Sequence, residues 1–259
     1  MRGGRMRVVV LSALLWGVAV AEGRPDLEGA AHFPWRVPID LKWAEEHRGK
    51  GPFSEGIWLE RFSGEGGADL KARGWHGGSD LDGKDHFLVS EASERFARSH
   101  YIKGKEAKYI YRERSWELTE YPFLRWRWRV RQFPQGAHVN DPRVSDAAAQ
   151  VYILCRIGRR SYAIKYFWAP TDPVGTVLRQ SNWIFGKLFG EVIRSGGPAG
   201  EWHVETRNVL GDFKTAFERD PPEPVRGFGI LSDGDETNTD ASADFDDFEA
   251  IRTADHLVH

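Results

Sequence analysis

Between Leu124 and Arg131 the chain reads Leu-Arg-Trp-Arg-Trp-Arg-Val-Arg. Every second residue is apolar and every other one is an arginine. An extended strand, with its side-chain period of two, sorts these sets onto opposite faces, whereas a helix would mix them around its circumference. The segment is therefore read as a strand that buries Leu124, Trp126, Trp128 and Val130. Arg125, Arg127, Arg129 and Arg131 fall on the other face. A half-buried antiparallel strand normally turns its polar face to water, so these arginines are expected to be solvated.

Further strand signals follow the same logic. They cover Ile57–Phe62, His86–Ser90, Lys108–Tyr111, Gln150–Ile157, Ser161–Trp168, Leu188–Ser195, Glu201–Val209, Val225–Leu231 and Phe245–Arg252. Gly158-Arg159-Arg160 reads as a hairpin turn, and Gly196 to Gly200 as a turn between two strands. One short helix near 209–218 interrupts the series. Asn208 can cap it, Val209, Phe213, Ala216 and Phe217 share a face, and Pro221-Pro222 is expected to end it. Nine or ten short strands with regular turns and no βαβ alternation predict an all-β fold, a two-sheet antiparallel β-sandwich of jelly-roll type.

The ends divide the chain. Arg2, Arg5 and Arg7 precede an uncharged apolar run, Val8 to Ala21, that closes on Ala19-Val20-Ala21. This order of charge, apolar run and small residues predicts a secretory signal peptide at 1–21. The run is shorter than the roughly 20 residues of a spanning helix, and no later apolar run reaches that length. The expectation is thus an exported chain, periplasmic or extracellular, starting at Glu22 and without a membrane span. Residues 22–54, with Pro25, Pro34, Pro38 and Pro52, read as an N-terminal arm, 55–253 as the sandwich domain, and 254–259 as a tail. The lone cysteine, Cys155, has no partner for an internal disulfide and reads as a small buried hydrophobe.

Charge narrows the function classes. The formal net charge is −2, and about −5 once the three leader arginines are removed. Nucleic acid is not an expected partner, because its binding needs a basic face. Eleven Trp and 15 Phe supply either a core or stacking surfaces for sugars.

Several constellations carry candidate chemistry. Ser232 to Asp240 is an acidic turn in which Asp233 and Asp235 are candidate ligands for a hard cation such as a structural calcium. The alternative is a solvated turn. Asp244, Asp246 and Asp247 form a second acidic group, which water could screen. On one strand face His203, Glu205 and Arg207 line up, Glu205 and Arg207 as an ion pair or Glu205 as a catalytic carboxylate. Tyr166, Trp168, Trp183, Arg127, Arg129 and Arg207 are the candidate ligand-binding residues. Trp183 is placed on a long loop from Pro170 to Gly186 at the end of the sandwich.

Taken together, Leu124 to Val130, Asp146 to Tyr152, Trp202 with Glu205 to Val209, Asp212-Phe213, Phe217 and Ser232 to Thr237 resemble a family of exported bacterial proteins, domain of unknown function 3047. The resemblance runs from about Ile57 to Ile251 and implies export and a β-sandwich. Ser145, Gln150 and Glu236 depart from the family's pattern. More loosely, the chain is similar to the galactose-binding-like jelly rolls of carbohydrate-binding modules. That likeness implies a structural calcium at Glu60, on the first strand, and Asp247, on the last.

Three functional expectations result. The first is non-catalytic binding of a glycan or other envelope ligand. The second is a structural partner in a cell-envelope complex. The third is a glycan-acting hydrolase with Glu205 and one of Asp146, Asp233 or Asp235 as paired carboxylates, which such chemistry needs about 5–9.5 Å apart.

Overall fold

The computed structural model describes residues 56–157, 160–182, 186–222 and 224–253. The leader, the arm, the tail, Trp183 and the turn residues Gly158 and Arg159 lie outside them. No helix among the described residues is long and apolar enough to cross a membrane.

Thirteen strands and one helix are described: β1 (Gly56–Glu60), β2 (Trp75–Gly77), β3 (His86–Glu91), β4 (Glu94–Tyr101), β5 (Ile110–Trp116), β6 (Phe123–Gln132), β7 (Ala149–Ile157), β8 (Arg160–Ala169), β9 (Val177–Asn182), β10 (Gly186–Ser195), β11 (His203–Asn208), α1 (Val209–Phe217), β12 (Val225–Leu231) and β13 (Ala241–Ile251). They form a β-sandwich of two sheets. One runs β11-β6-β13-β4-β3, with β1 also on β13; the other runs β2-β5-β12-β7-β8-β10-β9. Strand pairing is antiparallel apart from β8 with β10, which is parallel and departs from the all-antiparallel expectation.

Three strands escaped the sequence reading. β2 is only three residues long, and β4, Glu-Arg-Phe-Ala-Arg-Ser-His-Tyr, has no clean alternation. β9 lies within the stretch read as one long loop. Its residues face mostly outward at a sheet edge, so hydrophobic periodicity had little to report.

The core lies where the apolar sides of the sheets meet. Trp126 and Trp128 are completely buried, as their parity predicts. Trp126 stacks on Tyr166 of β8 at 5.6 Å between ring centroids, and Trp128 meets Trp168 at the same distance. Asn208 caps α1 by accepting the Gly211 N–H at 2.9 Å. The helix ends at Glu218, whose left-handed conformation (φ +53°) lets its N–H reach the Lys214 carbonyl. The stop therefore comes before Pro221-Pro222.

Of the arginine face only Arg131 is exposed. Arg127 and Arg129 are buried, because β13 sets an acid opposite three of the four arginines: Glu249 by Arg125, Asp246 by Arg127 and Asp244 by Arg129. Asp244 accepts from Arg129 at 2.7 Å and from Arg98 at 2.6 Å; Asp246 accepts from Arg127 at 2.6 Å. The Trp202 ring covers both guanidinium groups, at 4.5 and 4.7 Å. Asp244 and Asp246, expected to be screened by water, are fully buried.

One face of the sandwich is thereby filled. The outer face of the seven-stranded sheet presents the residues of opposite parity to the core. On β7 Val151, Ile153 and Cys155 point inward while Tyr152 and Leu154 line the outer surface; on β8 Ile164 and Tyr166 point inward while Ala163 and Lys165 line that surface.

Candidate functional site

A cleft of about 810 Å³ crosses this outer face. Its floor includes Tyr152, Leu154, Ala163 and Lys165, with Tyr109 at one wall and Leu178, Gln180 and Leu188 at the other. Tyr109 stacks on Tyr152 at 5.1 Å and is 41% exposed. This volume lies within the roughly 300–1,000 Å³ of small-ligand sites.

The acidic turn between β12 and β13 forms one end of the cleft, which Asp233, Asp235 and Glu236 line. Part of its acidity is structural. Asp235 accepts the Ala107 N–H at 3.0 Å, Asn238 that of Gly104 at 3.0 Å and Asp240 that of Lys103 at 2.9 Å, so the turn braces the β4–β5 loop. Fully buried Asp146 braces the turn in return. It accepts Thr237 N–H at 2.7 Å, Thr237 Oγ1–H at 2.6 Å and Glu236 N–H at 3.3 Å. The result brings Asp146, Asp233, Asp235 and Glu236 together, with one carboxylate oxygen of each within 4.8 Å of the others.

The turn closes tightly at Gly234, where a Cβ would collide with the Thr239 carbonyl oxygen and crowd the Tyr101 ring. Gly234→Ala is expected to cost about 1–3 kcal/mol, as overpacking does, and to weaken any ligand binding at the acidic end. Chemical denaturation and ligand titration of the variant would check both effects; a fully stable variant would mean the turn relaxes freely.

Lys165 faces the same cleft. It is 9% exposed, and its Nζ lies 4.9 Å from the Tyr152 ring centroid and 4.6 Å from that of Phe167. Burial pulls its ammonium down to about 8 against the attraction of the nearby carboxylates. Burial pushes Asp233 upward; Lys165 opposes the shift and Asp235 adds to it. Glu236 is raised by burial and by hydrogen bonds with Asp235 and Asp146. Burial raises Asp235 too, but hydrogen bonds from Glu236 and the Ala107 N–H outweigh it and hold the group low. Tyr152 donates to Gln150 at 2.9 Å, and Gln150 donates to Asp233 at 3.4 Å.

A family model described as a protein of unknown function (DUF3047) matches residues 97–249, more than half of the chain. The chain belongs to the DUF3047 family. The match takes in Asp146, Lys165 and the whole acidic turn of this DUF3047 member. No curated protein matches it significantly. Among solved structures it is similar to the family 11 carbohydrate-binding module of the cellulosomal cellulase Lic26A-Cel5E of Clostridium thermocellum, at 9% identity over 76% of this chain and 95% of the module, TM-score 0.39. It is also similar to endoglucanase 3 of Trichoderma harzianum, from family GH12, at 9% identity over 77% and 98%, TM-score 0.38. A third is the xyloglucanase domain of NopAA from Sinorhizobium fredii in complex with cellobiose, at 9% identity over 76% and 94%, TM-score 0.36.

In this DUF3047 chain the residues singled out by sequence fall in different places. Asp146, Asp233 and Asp235 come together in the cluster. Glu205 is not among them; it accepts from Arg194 at 2.6 Å and from Trp128 Nε1 at 3.2 Å, tying the edges of the two sheets. Arg207 pairs with Glu191 at 2.7 Å and Asp212 at 3.1 Å, not with Glu205. Tyr166 and Trp168 are core residues, and Arg127 and Arg129 are held by carboxylates. Glu60 accepts from Arg73 and Trp75 at 2.9 Å each and from Arg112, while Asp247 pairs with Arg127 at 2.9 Å. Both carboxylates are thus paired with arginines.

Lys165, Tyr109 and Tyr152 were not singled out by sequence, and Glu236 was noted only as a departure from the family's pattern. The parity that marks Tyr166 and Trp168 as a row on β8 also puts Lys165 on the other face, and a lone lysine amid Tyr-Ala-Ile and Tyr-Phe-Trp was the available signal.

Proposed function

We propose that this DUF3047 protein binds a glycan in the cleft of the seven-stranded sheet. The observation that carries the reading is the pairing of an aromatic platform with unsatisfied polar groups. Tyr109 presents an exposed ring to the cleft, stacked on the buried ring of Tyr152. Beside them stand Lys165, with no hydrogen bond or ion pair among the described residues, and Asp233, whose buried Oδ1 has no hydrogen-bond partner. Sugars offer C–H faces that lie on aromatic rings and hydroxyls that both donate and accept. A ligand of that kind can accept from the Lys165 ammonium and donate to Asp233 Oδ1, a buried oxygen that is costly to leave unmet. With residues 1–21 read as a leader, the ligand is a glycan of the envelope or the extracellular space.

A glycan array probed with the full chain, followed by titration of the best ligand, tests this. Tyr109→Ala removes an exposed ring, so stability should change by less than about 0.5 kcal/mol. Loss of a central aromatic contact should weaken binding by about 1–2 kcal/mol, roughly five- to thirtyfold. Unchanged affinity in Tyr109→Ala, or an array without any bound glycan, would remove the reading.

A further inference from the structure

Several buried carboxylates of the sandwich meet arginine. Glu60 pairs with Arg73 and Arg112, Asp244 with Arg98 and Arg129, Asp246 with Arg127, and Glu249 with Arg125. The cluster at the end of the cleft, with Asp146 buried, Asp233 and Asp235 half-buried and Glu236 exposed, has no arginine partner among the described residues. Asp146, Asp233, Asp235 and Glu236 have an oxygen each within 4.8 Å of one another, and none forms an ion pair among the described residues. Four carboxyl groups held at this spacing present hard oxygen donors of the kind that suits a divalent cation. The Ala107 N–H on Asp235 and the Thr237 and Glu236 N–H groups on Asp146 hold the oxygens in place, as outer hydrogen bonds do for ligating carboxylates.

Lys165 is the independent observation. It is nine-tenths buried, lines the same cleft as Asp233, Asp235 and Glu236, and makes no hydrogen bond or ion pair among the described residues. Its ammonium, packed against the Tyr152 and Phe167 rings, keeps its N–H donors for an anionic or strongly accepting group, but a free anion would be repelled by the carboxylates beside it. Both demands are met if a cation sits on the acids and the anion bridges cation and lysine.

We propose that Asp233, Asp235 and Glu236 hold a divalent cation at the end of the cleft, and that this cation and Lys165 together receive an anionic group of the glycan, such as a uronate carboxylate. The cation site stands without the glycan reading; the choice of an acidic glycan rests on it.

Isothermal titration of the chelator-treated full chain with calcium, magnesium and manganese chlorides tests the cation first, with no glycan present. One saturable site is expected for at least one of these ions, weakened about tenfold or more in Asp235→Asn and in Glu236→Gln. Asp247→Asn, outside the cluster, should bind as wild type does. Absence of saturable binding, or equal binding in all variants, overturns the site. The second arm titrates oligogalacturonate and, for comparison, neutral cello-oligosaccharide, each with the bound cation and with chelator. Oligogalacturonate should bind about tenfold more weakly after chelation and in Lys165→Met. If the neutral sugar binds equally well and chelation changes nothing, the anionic ligand is wrong while glycan binding stands. If the cation binds but neither sugar does, the ligand class is overturned and the metal site remains.

Discussion

Replacing Arg127 by alanine is expected to destabilise the domain by about 3–5 kcal/mol, the usual result of breaking a buried ion pair from one side. A surface arginine would cost less than about 0.5 kcal/mol, which is what strand parity alone suggests. The difference lies in what the side chain leaves behind. Asp246 is fully buried; it accepts from Arg127 at 2.6 Å and from the Phe62 N–H at 3.0 Å, and truncation would leave its charge without a counterion. The Trp202 ring would also lose the guanidinium beneath it. pH separates these two losses. Burial first, and Asp247 second, push Asp246 up to about 6 from its ordinary 3.8, while Arg127 pulls it down. A carboxyl raised on folding contributes stability that is present below about pH 4 and lost as pH rises through about 6. Without Arg127 the carboxyl rises further, so ionising it costs more. The gap between wild type and Arg127→Ala in urea melts should therefore widen from pH 5 to pH 8. A gap independent of pH would assign the loss to packing.

Trp128→Ala should be as damaging, by about 3–5 kcal/mol, for a different reason. Trp128 is fully buried and touches Trp126, Trp168 and Phe245, so its ring bridges the two sheets. Its Nε1–H also donates to Glu205, which would be left with Arg194 alone. Exposed Trp58, truncated in the same way, should change stability by less than about 0.5 kcal/mol. The midpoint of denaturation should fall for Trp128→Ala with little change in slope, since the same surface unfolds. Similar midpoints for the two variants would mean the core is not where the tryptophans meet.

Both predictions concern one strand, and they mark the boundary between local and tertiary information. Period-two alternation is a local property, so Trp126 and Trp128 could be placed in the core from sequence, and with them the β-sandwich, most of its strands and the Asn208 cap. What covers the opposite face is not local. The acids that meet Arg125, Arg127 and Arg129 lie more than a hundred residues away on β13, and their register becomes visible only once the strands pair. The phase of β13 is itself broken. Ala243 and Phe245 point into the core, then Asp247 adopts a left-handed bulge (φ +55°), and Phe248 and Ala250 point inward instead. A parity argument carried across Asp246 would put the last residues on the wrong face.

The acidic turn divides in the same way. Its composition announced a turn and candidate cation ligands in Asp233 and Asp235. That Asp146 joins them, that Asn238 and Asp240 are spent on the β4–β5 loop, and that Lys165 faces the cluster all depend on four separate stretches of chain meeting at one end of a sheet. Sequence by itself determined which residues prefer burial and which segments extend, because those preferences act between neighbours along the strand. Which charges meet, and so which face became structural and which stayed open as a cleft, was decided by the tertiary structure, because burial raises the cost of an unmatched charge and only pairing distant strands can meet it.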